Sequence, residues 1–469
     1  MGSAPAILHN INLAIGAGER IAILGANGSG KSTLAKLIAG LNLPSTGKIA
    51  VDSMETSSDE FQSNLGKLAG IVFQNPEHQI ISINVERELA LGLENYGVVQ
   101  NKIAAEVSEF LKSFGIESLK DKRPDQLSGG QKQILALASM LILKPRVLIL
   151  DEPTAHLDST GKKLFAEFMN KLFSADHTII YITQNVNEIR DFDRVIIMER
   201  GTIAEDLTPG KLLRDKALFE QYCLAYPADE KKQSKKSDNS QMAMVFTENE
   251  KTLLKCSALN FGWRNSDTKI IHNLDLELYP GRVLGVMGPT GCGKTTLALI
   301  LAGLLKPTGG EILLHGKKVT QADLVKSVAY LFQSPERGMF ADTLYEDISY
   351  GPHNFGRNVE TVERLVKRSF RQVGLDFDKF RDRSPFRLSG GEARLAAIAG
   401  VLACDKEIII LDEPTEELDY AGRMRIIEII KNLQLEGKAI LLISHDEDFM
   451  SEICNGIMPV IFNSSSNLT

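Results

Sequence analysis
The sequence predicts an α/β protein of two like domains in tandem, each a mostly parallel sheet covered by helices on both faces, with a small helical subdomain inserted. Three observations predict this. The chain repeats itself in register, short apolar runs break into glycine and then into helical patterns, and further strands of buried character alternate with helices.

The repeat comes first because it sets the organisation. GANGSGKST from Gly25 recurs as GPTGCGKTT from Gly288, and VFQNPEHQ from Val72 recurs as LFQSPERG from Leu331. LSGGQKQ from Leu127 recurs as LSGGEAR from Leu388, and LILDEPTAHLD from Leu148 recurs as IILDEPTEELD from Ile409. The offset is 263 from Lys31 to Lys294, 259 from Gln74 to Gln333, and 261 for Ser128 to Ser389, Asp151 to Asp412 and Asp158 to Asp419. Offsets that hold this closely over several motifs mark a duplication. The predicted boundaries are a first domain over 1–226 that lacks an N-terminal strand, a linker over 227–250, and a second domain over 251–469. The linker reads PADEKKQSKKSDNSQ at its start, polar and poor in large apolar residues. Its run Lys231, Lys232, Lys235 and Lys236 is short and interleaved with Asp, Glu and Ser, which fits a solvated connector better than a membrane or RNA contact.

Within each copy the strands follow from apolar runs. RIAILGANG and RVLGVMGPT are strands that break into glycine and lead into the helical patterns STLAKLIAGL and TTLALILAGLL. RVLIL and EIIIL end in acidic residues, and TIIYIT and AILLIS are further buried strands. The stretches 101–125 and 357–387, just before each LSGG, read as the inserted helices.

Composition bounds the rest. The chain has 469 residues, 43% hydrophobic and 24% charged, which suits two globular domains. A formal net charge of −7 gives no reason to expect nucleic-acid binding. Five scattered cysteines without a CxxC pair predict reduced thiols rather than a disulfide framework or a zinc site. No apolar run reaches the roughly 18 residues of a membrane span. MGSAPAILHN lacks the basic start and apolar core of a signal peptide. The expected location is the cytoplasm, with any membrane role supplied through a partner.

The chemistry lies in the repeated motifs. GxxxxGK[ST] lets backbone N–H groups close around phosphate oxygens while the following helix turns its positive end toward them. The candidate nucleotide-binding residues are Gly25, Asn27, Gly28, Ser29, Gly30, Lys31, Ser32 and Thr33 in the first copy. In the second they are Gly288, Thr290, Gly291, Cys292, Gly293, Lys294, Thr295 and Thr296. Lys31 and Lys294 offer a point charge to the β- and γ-phosphates, and Ser32 and Thr295 a hydroxyl to Mg²⁺. Asp151 and Asp412 end their strands where a carboxylate can hold Mg²⁺ through water. Glu152 and Glu413, one residue on, can polarise an attacking water. LSGG is by itself a turn that opens a helix, and its Ser hydroxyl and Gly N–H groups can bind an anion.

A phosphate loop, a Gln after a strand, LSGG, DEP and a downstream LD, in that order and twice, resemble the ATP-binding-cassette (ABC) family over nearly the whole chain apart from the linker. The resemblance implies ATP with Mg²⁺, and an intramolecular pseudo-dimer in which the LSGG of one copy completes the phosphate site of the other. Site one would join Lys31, Gln74, Asp151 and Glu152 to Ser389, Gly390 and Gly391. Site two would join Lys294, Gln333, Asp412 and Glu413 to Ser128, Gly129 and Gly130. Gln74 and Gln333 would also reach the Mg²⁺. The family places a catalytic His after the strand that follows the acidic pair. The second copy has His445, whereas the first has Gln184, which donates a hydrogen bond but carries no charge. The family also stacks an aromatic on adenine. Trp263 stands in that place in the second copy, and the first has no counterpart.

The segments PEHQIISINVERELALGLENYG and PERGMFADTLYEDISYGPHNFG resemble those of energy-coupling-factor (ECF) and cobalt-type importer ATPases. Glu77, Gln79 and Glu86 carry the match in the first copy, and Glu336, Glu346, Asp347 and Asn354 in the second, where Gly338 replaces the Gln. That resemblance implies a transmembrane coupling protein and a substrate-binding membrane component as partners, contacted over 74–95 and 333–354 on the cytoplasmic face of the membrane. The rival reading is a duplicated ABC protein acting on ribosomes. Such proteins usually carry a long basic helical linker, and the linker here is short and unpatterned.

Overall fold
The computed structural model describes residues 6–155, 157, 159–173, 177–225, 251–263, 269–289, 291–334, 338–416 and 418–459. Asp158, Thr290, Glu336 and the linker residues 227–250 lie outside the described residues. The chain divides into two compact units, one built almost wholly from residues up to 233 and the other from residues beyond.

In the first unit, β1 (Arg20–Leu24) leads into α1 (Lys31–Ile38), followed by the hairpin β2 (Ala50–Val51) and β3 (Met54–Glu55) and by β4 (Ala69–Val72). The insertion holds α2 (Val85–Asn95) and α3 (Gln100–Phe114), and the chain returns through α4 (Gly129–Leu141). Then come β5 (Val147–Asp151), α5 (Ser159–Phe173), β6 (Thr178–Ile182), β7 (Arg194–Glu199) and β8 (Thr202–Leu207). The sheet order is β4-β5-β6-β1-β7-β8, parallel except for the antiparallel edge pair β7 and β8. Its central strands are apolar over their middle residues because both faces are covered. Ile21, Ile23, Ile149 and Ile180 pack on one side, and Ala22, Leu24, Leu148 and Leu150 on the other.

The second unit opens with an antiparallel strand pair that has no counterpart among the described residues of the first. It comprises β9 (Leu254–Gly262) and β10 (Lys269–Leu278), later joined by Gly309–Leu314 (β12) and Lys317–Lys318 (β13) in the order β10-β9-β12-β13. β11 (Val283–Met287) leads into α6 (Lys294–Leu301), then β12 (Gly309–Leu314), β13 (Lys317–Lys318) and β14 (Val328–Leu331). The insertion holds α7 (Leu344–Asn354) and α8 (Val359–Val373), and α9 (Gly390–Ala403) returns to β15 (Ile408–Asp412). β16 (Ala439–Ile443), α10 (Glu447–Ile453) and β17 (Gly456–Pro459) complete a parallel sheet ordered β14-β15-β16-β11-β17.

The insertions are less helical than the sequence suggests. α3 stops at Gly115 and α8 at Gly374, both in the left-handed conformation at φ near +70°. Glycine there ends a helix without a Cβ penalty. Only short turns follow before each LSGG, at Glu117–Leu119 and Pro124–Gln126, and at Phe377–Phe380 and Pro385–Arg387.

Candidate functional site
Each unit gathers its phosphate loop, its acidic pair and one residue after β6 or β16 at the carboxyl edge of the parallel strands. That edge is where open α/β sheets hold ligands. The loop between β1 and α1 needs glycine for space: a Cβ on Gly25 would lie 2.3 Å from the Met198 carbonyl oxygen. Gly30 and Gly293 sit at the N-caps of α1 and α6 with φ of 102° and 100°, which turns the first helical N–H groups into the loop.

In the first unit, Lys31 is buried and donates to the Gly25 and Ala26 carbonyl oxygens at 2.8 and 3.0 Å. Burial lowers its pKa, against the pull of the Glu152 and Asp151 carboxylates. Ser32 Oγ donates to Asp151 Oδ1 at 3.1 Å. Burial raises the pKa of Asp151 against that hydrogen bond, and raises that of Glu152 against the hydrogen bond from Gln184. Gln184 Nε2 donates both to Glu152 Oε1 and to Asn27 Oδ1, each at 2.8 Å.

The second unit repeats the frame with different clamps. Lys294 donates to the Gly288 and Pro289 carbonyls at 2.8 and 3.0 Å, and Thr295 Oγ1 to Asp412 Oδ2 at 2.8 Å. Tyr330, on β14, adds a hydroxyl to the same Asp412 oxygen at 3.0 Å; the offset of the neighbouring Gln pair puts Ile71 in that place in the first unit. Burial pushes Asp412 up to about 6, against the Thr295 and Tyr330 hydrogen bonds. Glu413 is held on both oxygens: His445 Nδ1 lies 3.0 Å from Oε1, and Ser444 Oγ donates to Oε2 at 3.0 Å.

Both catalytic-position glutamates sit in the left-handed region, with φ of 47° at Glu152 and 49° at Glu413. Their N–H groups donate to the Ile182 and Ile443 carbonyls at 2.9 Å. A non-glycine residue held there stores strain, and such strain concentrates at functional positions.

The two units part at the residue matching Ser444, which is Thr183. Thr183 Oγ1 donates to Glu188 Oε2 at 2.7 Å, and Tyr181 and Thr154 donate to the same carboxylate at 3.0 and 2.7 Å. The position equivalent to Glu188 is Phe449, fully buried, so Ser444 has no such competitor. Sequence reasoning missed Tyr330, Ser444 and Glu188. Position-by-position comparison of the two copies was the signal that could have found them.

The other predicted residues make no hydrogen bonds to the acidic pairs among the described residues. Gln74 follows β4 and Gln333 follows β14. Ser128 and Ser389 are N-caps of α4 and α9 with reciprocal capping boxes, to Gln131 and to Glu392. Gly129 and Gly390 open those helices. Gly130 allows close packing: a Cβ there would lie 2.7 Å from Gly161 Cα. Gly391 has no such constraint. Gly28 and Gly291 sit at φ of 76° and 80°, and Ser29 and Cys292 are buried at matching loop positions. Thr33 and Thr296 lie in the first turns of α1 and α6. Trp263 follows β9 with half its surface exposed, in edge contact with Phe261 at 5.2 Å.

Two carboxylates of the importer-like segments make local contacts. Glu346 caps its own helix, with Oε2 accepting from the Thr343 N–H at 3.2 Å, and Glu86 pairs with Lys120 at 3.2 Å. At the matching position of the two helices stand Glu88 and Asp347. Glu88 accepts from the Ile81 and Ser82 N–H groups at 3.1 and 2.8 Å, and Asp347 from those of Phe340 and Ala341 at 3.0 and 3.2 Å. All five cysteines are free.

The family model for ABC transporters matches twice, over residues 8–155 and 271–416. The chain belongs to the ABC transporter family. It is a tandem ABC ATPase, and its ABC domains bind ATP. It is 32% identical to an ABC transporter ATP-binding protein of Bifidobacterium longum over 97% of this chain, but spans only 63% of that protein's length. It is 33% identical to another from Caldanaerobacter subterraneus subsp. tengcongensis, over 96% of this chain and 86% of that one. It is 29% identical to YkoD of Bacillus subtilis, a protein named for HMP/thiamine import, over 96% of this chain and 86% of that one. A solved RNase-L inhibitor shares the fold, with a TM-score of 0.64, 22% identity, and coverage of 96% of this chain and 85% of that one.

Gln184 supplies the first prediction. Its one amide nitrogen is already divided between Glu152 and Asn27. In a Glu413→Gln background, where the first unit carries the residual ATP turnover, Gln184→His should raise that turnover by about threefold or more, since one positioned donor is worth about 1 kcal/mol. Unchanged residual turnover would assign the difference between the units to other residues.

Proposed function
We propose that the chain is the ATP-hydrolysing subunit of an ECF-type importer for a vitamin, vitamin precursor or metal ion. The observation that carries this is similarity to YkoD along nearly the whole chain. The RNase-L inhibitor likeness, at 22% identity, bears on the fold alone. The proposed domains are 1–226 and 251–469 with 227–250 as linker, and closure of one on the other would complete each phosphate site with the partner's LSGG.

In this reading, Lys31 and Lys294 leave their backbone carbonyls to receive phosphate oxygens. Glu413, steadied by Ser444 and His445, takes a proton from the attacking water. The hydroxyl and carboxylate of Ser32 with Asp151, and of Thr295 with Asp412, are the oxygen donor set that Mg²⁺ takes from a protein, which needs only one or two such ligands beside phosphates and water. When bound there, Mg²⁺ would neutralise charge on the β- and γ-phosphates.

The membrane partners would dock on the segments between Gln74 and Asn95 and between Gln333 and Asn354, from the cytoplasmic side. Among the described residues no helix is long and apolar enough to cross a membrane, so a span must come from other sequence. These segments expose large apolar groups: Ile81 is 76% and Ile83 77% exposed, and Phe340 59%. Such groups in one loop suit a protein interface. Ile81→Asp with Ile83→Asp, or Phe340→Asp, should lower import at least about tenfold, while basal ATP turnover of the purified chain stays within about twofold. Import that survives both changes would place coupling elsewhere. Affinity purification from native membranes tests the function directly: integral membrane proteins should co-purify, and ribosomes in their place would overturn the importer reading.

A further inference from the structure
The second unit buries a cation that the active-site motifs do not use. Arg394, in the second turn of α9, is 5% exposed. Its Nη1 donates to the Gln333 carbonyl oxygen at 2.8 Å and to the Glu413 carbonyl oxygen at 3.2 Å. Among the described residues no carboxylate lies within ion-pair distance of it. A buried guanidinium without a counter-ion is costly, and among the described residues only backbone oxygens offset the cost. Those oxygens belong to the glutamine that follows β14 and to the glutamate held at φ 49°. A donor on the Glu413 carbonyl fixes the orientation of a peptide that the left-handed conformation alone leaves strained. The same donor fixes the backbone of Gln333, so one side chain sets the spacing between the two.

The first unit lacks this tie. The equivalent residue is Gln133, at the same 261-residue offset as the signature serines. It is 1% exposed, its Nε2 has no partner, and no hydrogen bond from it reaches the Gln74 or Glu152 carbonyl. Glutamine is shorter than arginine by two heavy atoms and offers one nitrogen in place of the fork.

We propose that Arg394 is a positioning residue for ATP hydrolysis in the second unit, tying the backbone of Gln333 to that of Glu413 so that the glutamate carboxylate meets its water in one orientation. This rests on Glu413 being the hydrolytic carboxylate of its unit. A Glu413→Gln chain that keeps full turnover would sink that premise, separately from the tie itself.

The test uses the full-length chain in a Glu152→Gln background, so that the second unit carries the turnover. Arg394→Gln copies the residue that the first unit accommodates in its own fold. Its kcat should fall about tenfold while KM for ATP stays within about twofold, because an orienting contact acts on the transition state more than on binding. Arg394→Lys, which keeps a donor of one point charge, should recover a large part of the loss. An unchanged kcat, or kcat and ATP affinity lost together in proportion to a lowered melting temperature, would reduce Arg394 to packing and overturn the proposal. Should Arg394→Gln not fold, Gln133→Arg in the Glu413→Gln background decides: residual turnover should rise about threefold or more if the tie sets the rate, and an absent rise overturns it.

Discussion

Glu413→Gln should leave about a tenth or less of steady-state ATP turnover, whereas Glu152→Gln should leave more than about half, because a group positioned on the reacting centre is worth 100-fold or more in rate. The physical reason is how each carboxylate is held. Glu413 is fixed on both oxygens, by His445 and by Ser444. Glu152 takes only the shared amide of Gln184, and the hydroxyl that would match Ser444 is drawn away to Glu188. In the proposed reading His445 stands near the transferring phosphate, and an imidazole can carry charge where the amide of Gln184 cannot. In the proposed reading, the half-exposed Trp263 would stack on adenine, worth on the order of 1 kcal/mol of binding. That is smaller than the rate effect, so a first site that holds ATP and turns it over slowly is the expected outcome. Equal losses, or a larger loss from Glu152→Gln, would contradict it.

Asp412→Asn should lower turnover in a Glu152→Gln background by about a thousandfold, with Tyr330→Phe costing only several-fold, about 1 kcal/mol. Asparagine keeps an oxygen for the Thr295 and Tyr330 hydroxyls, which reach Asp412 at 2.8 and 3.0 Å, so the local fold should persist. What would be lost is the negative charge that, in the proposed reading, holds a divalent cation against phosphate. Tyr330 contributes one hydrogen bond to that carboxylate and no charge. Titrating Mg²⁺ against turnover separates the two: Tyr330→Phe should shift the Mg²⁺ requirement modestly and keep most of the maximal rate. A Tyr330→Phe loss as deep as that of Asp412→Asn would mean that Tyr330 does more than orient the carboxylate.

Most of the frame was legible in the sequence for definite reasons. The phosphate loop, the acidic pair and LSGG are contiguous, and each contiguous motif makes its own local structure: a loop at a helix start, a strand end, and a capping box. Buried parallel strands are continuous apolar runs, as in the IIIL that precedes Asp412 in Ile408–Asp412, so they stand out without alternation. The extent of the insertions was overread because glycine stops such as Gly115 and Gly374 sit inside polar stretches that otherwise look helical. The clamps on the carboxylates were not legible because they join residues far apart in the chain. Tyr330 and Asp412 are 82 positions apart, and Arg394 and Gln333 are 61. Nothing local shows that Thr183 turns to Glu188 while Ser444 turns to Glu413; a buried Phe449 in place of a carboxylate makes the difference. Glu346 shows the converse case, a charged residue inside a family-like pattern whose oxygen is committed to its own helix start.

The central claim is that the two ATP sites of one chain are unequal, and vanadate trapping with a photoreactive adenine analogue of ATP tests it most directly. The full-length chain is turned over with Mg²⁺ and vanadate, irradiated, and its labelled peptides are assigned by mass spectrometry. Trapping requires hydrolysis, so label should fall predominantly on peptides of the second unit around Trp263 and the loop before Lys294. Label shared evenly between the two units, or concentrated on the first, would contradict the account.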